Sequence, residues 1–192
     1  RSGDLTGDGI DDLVVSTPDW SDARGIVTVH KGGDGAFTAV SANDAHYKMK
    51  GWNSMFEKPD VDRDQDSIGA TADICDINGD GKPDLLVGSG GKGPGAFVDY
   101  GPLDDSKDDL YFELADFEVD NFTWYAHAYC AGDVDGDGKD DMAFTDRYRN
   151  TCDAPCANHV GGFRLVRGGN HTGVIDLNEE ADEALYGLAK IH

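Results

Sequence analysis

The chain has 192 residues, with 38 acidic against 16 basic side chains and a formal charge of −22. That surplus excludes a nucleic-acid partner, since nothing could replace the counterions along a phosphate backbone, and it disfavours docking on anionic lipid. Eight Phe, seven Tyr, three Trp and 39% hydrophobic residues still supply enough apolar surface for a folded domain.

An acidic, glycine-rich segment recurs three times along the chain. Residues 3–15 read GDLTGDGIDDLVV, residues 75–87 read CDINGDGKPDLLV, and residues 132–144 read GDVDGDGKDDMAF. A Gly-containing turn and a β-rich run follow each segment, at residues 25–30, 95–100 and 162–167. A weaker run comes next, at 46–51, 110–114 and 183–187, and short strands of small residues at 67–74 and 124–131 precede the second and third segments. β-branched and aromatic residues between Gly, Asp and Asn turns, without helical periodicity, predict antiparallel β-structure. Each unit is expected to be a four-stranded sheet with its acidic loop between strands one and two. The fold is therefore all-β.

Asp4 and Asp76 lie 72 residues apart, and Asp76 and Asp133 lie 57 apart. Joined tail to head the third period is 63, so three periods account for all 192 residues. The expected division is repeat one at 1–58, lacking its first strand, repeat two at 59–118 and repeat three at 119–187. Residues 188–192 then begin the opening strand of a further unit. On this reading one strand is split across the chain ends, and the first sheet is completed by a C-terminal strand of its own or a neighbouring chain.

The loops place oxygen donors at alternate positions. They are Asp4, Thr6, Asp8 and Asp12 in loop one; Asp76, Asn78, Asp80 and Asp84 in loop two; and Asp133, Asp135, Asp137 and Asp141 in loop three. The backbone carbonyls of Ile10, Lys82 and Lys139 fall between the third and fourth donors, and Gly9, Gly81 and Gly138 permit the turn. Six to eight hard oxygens around one point suit calcium, whereas magnesium keeps its waters. The loops hold no Cys or His, which disfavours zinc and copper. An EF-hand needs a glutamate at its twelfth position; here that position is Val15, Val87 or Phe144, inside β-rich runs. Three calcium sites are expected. Loop three, with four Asp donors, should bind most tightly and loop one, with neutral Thr6, most weakly.

The loop pattern Asp-x-(Asp/Asn/Thr)-x-Asp-Gly-x-x-Asp, followed by Leu or Met, resembles the calcium-binding FG-GAP repeat of integrin α-type β-propellers. The resemblance implies four-stranded blades with calcium held between strands one and two. The namesake dipeptide and tripeptide are degraded, to Ile68-Gly69 and Tyr125-Ala126 and to sequences such as Ser16-Thr17-Pro18.

Four cysteines allow three connectivities; Cys152 with Cys156, and Cys75 with Cys130 across neighbouring opening strands, is the expected set. The cysteines and the sequons at Asn121 and Asn170 favour an extracellular or cell-surface protein bearing glycans. The chain opens at Arg1 and reads as a processed product or a fragment. Residues 60–66 alternate acids without a glycine turn and read as a solvated linker. His30, His46, His127, His159, His171 and His192 show no ligand spacing, and Trp20, Trp52 and Trp124 read as packing residues. No nucleophile elbow, phosphate loop or paired-acid motif occurs, so no enzymatic activity is expected.

Closed propellers use about four to eight blades, so three repeats leave four arrangements open. They are a fragment of a longer propeller, a ring of two copies, a compact three-blade unit, or copies joined head to tail. The split strand favours the last, a homopolymeric extracellular fibre or surface layer built by strand addition. The alternative is an adhesion or glycan-binding module with matrix proteins or glycans as partners.

Overall fold

A computed structural model describes residues 1–19, 21, 24–35, 41–51, 67–90, 95–104, 110–111, 117–120, 126–146, 162–177 and 183–186. They form three β-sheets, one centred on each acidic loop. Sheet one runs β1 (Ser2–Gly3), β2 (Asp12–Thr17), β3 (Ile26–His30) and β4 (Tyr47–Lys50), with β8 (Leu110–Tyr111) beyond β4. Sheet two runs β5 (Ile68–Cys75), β6 (Asp84–Ser89), β7 (Ala96–Asp99) and β9 (Phe117–Asp120), with β13 (Gly173–Asp176) beyond β9. Sheet three runs β10 (Ala126–Gly132), β11 (Asp141–Asp146), β12 (Gly162–Val166) and β14 (Glu183–Tyr186).

The first four strands of each sheet form an antiparallel meander, and the same register recurs. Gly3 faces Asp12, Cys75 faces Asp84, and Gly132 faces Asp141. The outer strands depart from expectation. Leu110–Tyr111 is not the fourth strand of sheet two; it pairs in parallel with β4 of sheet one. The fourth strand of sheet two is β9, which runs across the boundary placed after residue 118. β13 likewise leaves its own repeat and pairs in parallel with β9. Both additions cover an outer edge whose N–H and C=O groups would otherwise lack strand partners. β4 and β9 are thus each finished by the repeat that follows.

Two apolar clusters lie between the sheets. Leu5, Val14, Val27, Val29, Tyr47 and Met49 of sheet one pack on Ile68, Leu85, Val87, Phe97 and Leu103 of repeat two. Ile77, Leu86, Ala96 and Val98 of sheet two pack on Ala128, Met142, Phe144 and Val166 of sheet three. Period-two alternation sends successive residues of β6 to opposite faces, so Leu85 and Val87 join the first cluster and Leu86 the second. Sheet two is buried on both faces, which its unbroken Leu-Leu-Val run reflects.

Polar bonds fix the seams. Between sheets one and two the Leu103 amide donates to the Leu5 carbonyl at 2.7 Å, and the Tyr47 hydroxyl donates to the Asp99 carboxylate. Between sheets two and three a disulfide joins Cys75 to Cys130, and the Ala128 amide donates to Thr71 Oγ1 at 3.1 Å. Asp73 spans all three sheets: Oδ1 lies 3.0 Å from Arg1 Nε, and Oδ2 accepts the Cys130 amide at 3.2 Å. Cys152, Cys156, Asn121, the three Trp residues, residues 60–66 and residues 188–192 lie outside the described residues.

Candidate metal centres

Each acidic loop joins the first strand of its sheet to the second and folds on its own side chains. In loop one, Asp4 Oδ1 accepts the Asp8 amide at 3.0 Å and Oδ2 accepts the Gly9 amide at 2.9 Å. In loop two, Asp76 accepts the amides of Asp80 and Gly81 at 3.0 and 2.8 Å. In loop three, Asp133 accepts those of Asp137 and Gly138 at 3.0 and 2.9 Å. The first Asp therefore curls the loop toward its own carboxylate. Gly9, Gly81 and Gly138 carry φ of 87°, 81° and 89°, a left-handed turn that a β-carbon disfavours.

The fourth donor of each loop does more than its sequence position revealed. Asp12, Asp84 and Asp141 are fully buried as the first residues of β2, β6 and β11. One oxygen of each accepts an amide at the start of its own loop: Thr6 at 2.8 Å, Ile77 at 2.8 Å or Val134 at 2.9 Å. The other accepts an amide after the third strand: Gly32 at 3.0 Å, Gly101 at 2.9 Å or Gly168 at 2.9 Å. These carboxylates clamp the loop to the chain leaving the third strand, at the same end of the sheet. The three glycines are required by contact, since a β-carbon on them would fall 2.1–2.6 Å from the carbonyl oxygens of Asp11, Pro83 and Asp140. Burial raises the Asp84 carboxyl to about 6, although the amides of Gly101, Ile77 and Asn78 pull it down.

Two observations test the loops as cation sites. In loop three, ligand oxygens of Asp133, Asp135 and Asp141 all lie within 4.8 Å of one another, the one such carboxylate trio among the described residues. In loop one, the hydroxyl oxygen of Thr6 is buried with no hydrogen-bond partner among the described residues. A buried polar atom without a partner is costly, and an oxygen aimed at a cation would explain it. Hard carboxylate, amide, hydroxyl and carbonyl oxygens fit calcium. Cationic side chains already attend loop three. Lys139 Nζ lies 2.6 Å from Asp137 Oδ2, and Arg167 Nε lies 3.1 Å from Asp135 Oδ2. The Lys139 ammonium holds the Asp137 carboxyl below the usual carboxylate range.

Adjacent loops also touch. The Asp76 amide donates to Asp140 Oδ2 at 3.0 Å, while the Asp140 amide donates to the Asp76 carbonyl at 2.9 Å. The corresponding residue of loop two is Pro83, which has no amide to offer. Asp73, Asp140 and the glycines after the third strands were missed in the sequence. Only Asp140 left a signal, as an acid just ahead of the fourth donor that recurs at Asp11.

Asn170 is exposed in the connection between β12 and β13. No helix among the described residues is long and apolar enough to cross a membrane. Residues 68–100, which span β5, loop two, β6 and β7, match the FG-GAP repeat. No curated protein matches the chain.

Proposed function

We propose that the chain is an extracellular, non-catalytic structural protein whose three acidic loops are stapled by calcium, and that copies join into a fibre or surface layer. The observation that carries the calcium reading is the threefold recurrence of one loop, each closed by a buried Asp that ties it to the chain leaving the third strand. Asp4, Thr6, Asp8, Asp12 and the Ile10 carbonyl would hold the first ion. The second would sit among Asp76, Asn78, Asp80, Asp84 and the Lys82 carbonyl, and the third among Asp133, Asp135, Asp137, Asp141 and the Lys139 carbonyl. Calcium supplies charge neutralisation there, taking the formal −22 to about −16 with three ions. The Asp side chains supply the loop's own curl, so each ion would lock a turn already formed.

The joining of copies is supported by one sheet edge. β1 pairs with β2 only at Leu13 and Asp12, so Val15, Ser16 and Thr17 have no strand on that side among the described residues. The matching residues of β6 and β11 are paired with β5 and β10. An open edge takes an added strand through main-chain hydrogen bonds. The Cys75–Cys130 disulfide and the exposed sequon at Asn170 support an oxidising, extracellular setting.

Thermal unfolding and sedimentation with calcium and with excess chelator test both halves. Chelation should lower the unfolding midpoint and dissolve the assemblies. An unchanged midpoint would end the staple reading, and a stable monomer in calcium would end self-assembly in favour of an integrin-like module acting singly.

A further inference from the structure

We infer that loops two and three bind calcium as a coupled pair, each ion strengthening the binding of the other through contacts between the two loops. This rests on the calcium reading above and adds a regulation of those sites that three separate staples would not have.

Two routes connect the proposed ligands. The first runs through Asp140, which is not a proposed ligand but lies between two of them, the Lys139 carbonyl and the Asp141 carboxylate. Its carboxylate accepts the Asp76 amide at 3.0 Å, and its own amide donates to the Asp76 carbonyl at 2.9 Å. Both main-chain groups of Asp76 are thus held by loop three. The Asp76 carboxylate is the first donor of loop two and takes the amides of Asp80 and Gly81.

The second route joins the fourth donors. Asp141 Oδ1 accepts the Gly168 amide, and Gly168 lies against loop two, where a β-carbon on it would fall 2.8 Å from the Ile77 carbonyl oxygen. The Ile77 amide donates in turn to Asp84. Lys139 adds to these routes, since a β-carbon on Gly79 would fall 2.7 Å from its Cγ. Gly79 lies between the donors Asn78 and Asp80.

These contacts give the coupling its sign. An ion in loop three fixes the Lys139 carbonyl and Asp141, and with them the Asp140 residue between. Asp140 then holds the Asp76 main chain in one place, so the second ion has less of loop two left to order. Charge alone acts the other way, since a cation in one loop repels a cation entering the next. Mutual strengthening therefore reports the contacts and not the field.

Loop one stands outside the pairing. Pro83 occupies the position of Asp140 and offers neither the amide nor the carboxylate. The connection after β7 meets loop one instead, with the Leu103 amide on the Leu5 carbonyl and Pro102 beside Gly7. The nearest atoms to a β-carbon on Gly101, the counterpart of Gly168, belong to Pro83 and Asp84 and not to loop one.

A calcium titration followed at the amide resonances of Gly9, Gly81 and Gly138 reads the three loops separately in the whole chain. Asp80→Ala disables loop two and leaves Gly138 to report loop three; Asp137→Ala gives the reverse reading at Gly81. Each should weaken the remaining partner by about fivefold or more, and by the same factor, as linkage requires. Gly9 should report an unchanged affinity in both. Should one of these variants fail to fold, the other arm gives the factor alone.

Asp140→Pro places in loop three the residue that loop two carries there, and removes both bonds to Asp76. Asp140→Asn has the same charge but keeps an acceptor and the amide. The factor should shrink toward one in the Asp140→Pro background and persist in the Asp140→Asn background. A factor of one in the otherwise unaltered chain, or equal factors in the two Asp140 backgrounds, would overturn the coupling while leaving calcium binding standing. Resonances of Gly81 and Gly138 that ignore calcium altogether would overturn the calcium reading itself.

Discussion

Asp76 and Asp140 exchange two hydrogen bonds across the seam between sheets two and three, one through a side chain and one through main chains only. Loops two and three are therefore linked at the residue that opens one and the residue that precedes the buried clamp of the other. Asp140→Ala should lower stability by about 1–2 kcal/mol, by removing an acceptor from a half-buried amide. Hydrogen exchange at the Asp76 amide should quicken while that at Asp80 is unchanged. Equal protection in both proteins would show that the main-chain bond alone holds the seam.

Asp84 sets a pH dependence. Its carboxyl titrates near 6 in the fold, against about 3.9 for an ordinary aspartate. The folded state therefore retains a proton that the unfolded chain releases. In calcium-free buffer, the stability this proton supplies is present below about pH 4 and is lost as pH rises toward 6. Unfolding midpoints of wild type and Asp84→Asn should lie closest near pH 4 and diverge as pH rises toward 6, the wild type falling relative to the variant. Parallel curves would remove Asp84 from the account. Calcium and the proton compete for the same carboxylate, so loop two should bind calcium more weakly below pH 6 than above it.

Arg167 bears on calcium affinity rather than on folding. Its guanidinium pairs with Asp135, a proposed ligand, at a site where both side chains meet solvent. Exposed pairs contribute about 0.2–1 kcal/mol. Arg167→Ala should therefore tighten binding at loop three by a few-fold at low salt, and the gain should fade at high ionic strength. Calorimetric titration at two salt concentrations reads both effects. A loss of affinity would mean that Arg167 orients Asp135 for binding instead of competing for it.

The Cys75–Cys130 disulfide closes a loop of 55 residues between the opening strands of two sheets. A bridge of this kind contributes about 2–4 kcal/mol. Cys75→Ala with Cys130→Ala should lower the denaturation midpoint accordingly, and saturating calcium should recover part of that loss by mass action. If the double variant unfolds at the wild-type midpoint, the seam's apolar packing and Asp73 suffice.

The loops and central strands were legible because their signals are local. An Asp-Gly turn followed by Leu-Val-Val or Leu-Leu-Val names both the bend and the buried strand. The outer strands were not. Leu110–Tyr111 looks like a fourth strand in chain order, but its partner is Met49–Lys50 in the previous sheet, and two residues carry no sign of a distant parallel edge. Asp12, Asp84 and Asp141 were legible as donors, yet their burial and their grip on Gly32, Gly101 and Gly168 depend on where the third strand ends. Leu5, Ile77 and Val134 look alike in the sequence. Only the arrangement of the sheets distinguishes the exposed one.

The parallel fifth strands impose an order of completion on the chain during synthesis. Met49 must wait for Leu110, and Phe117 for Gly173, before either outer edge is covered. A nascent first repeat is thus released with a bare margin that only later translation can seal. Ribosome pausing between those points would prolong the interval in which that margin can capture a wrong strand.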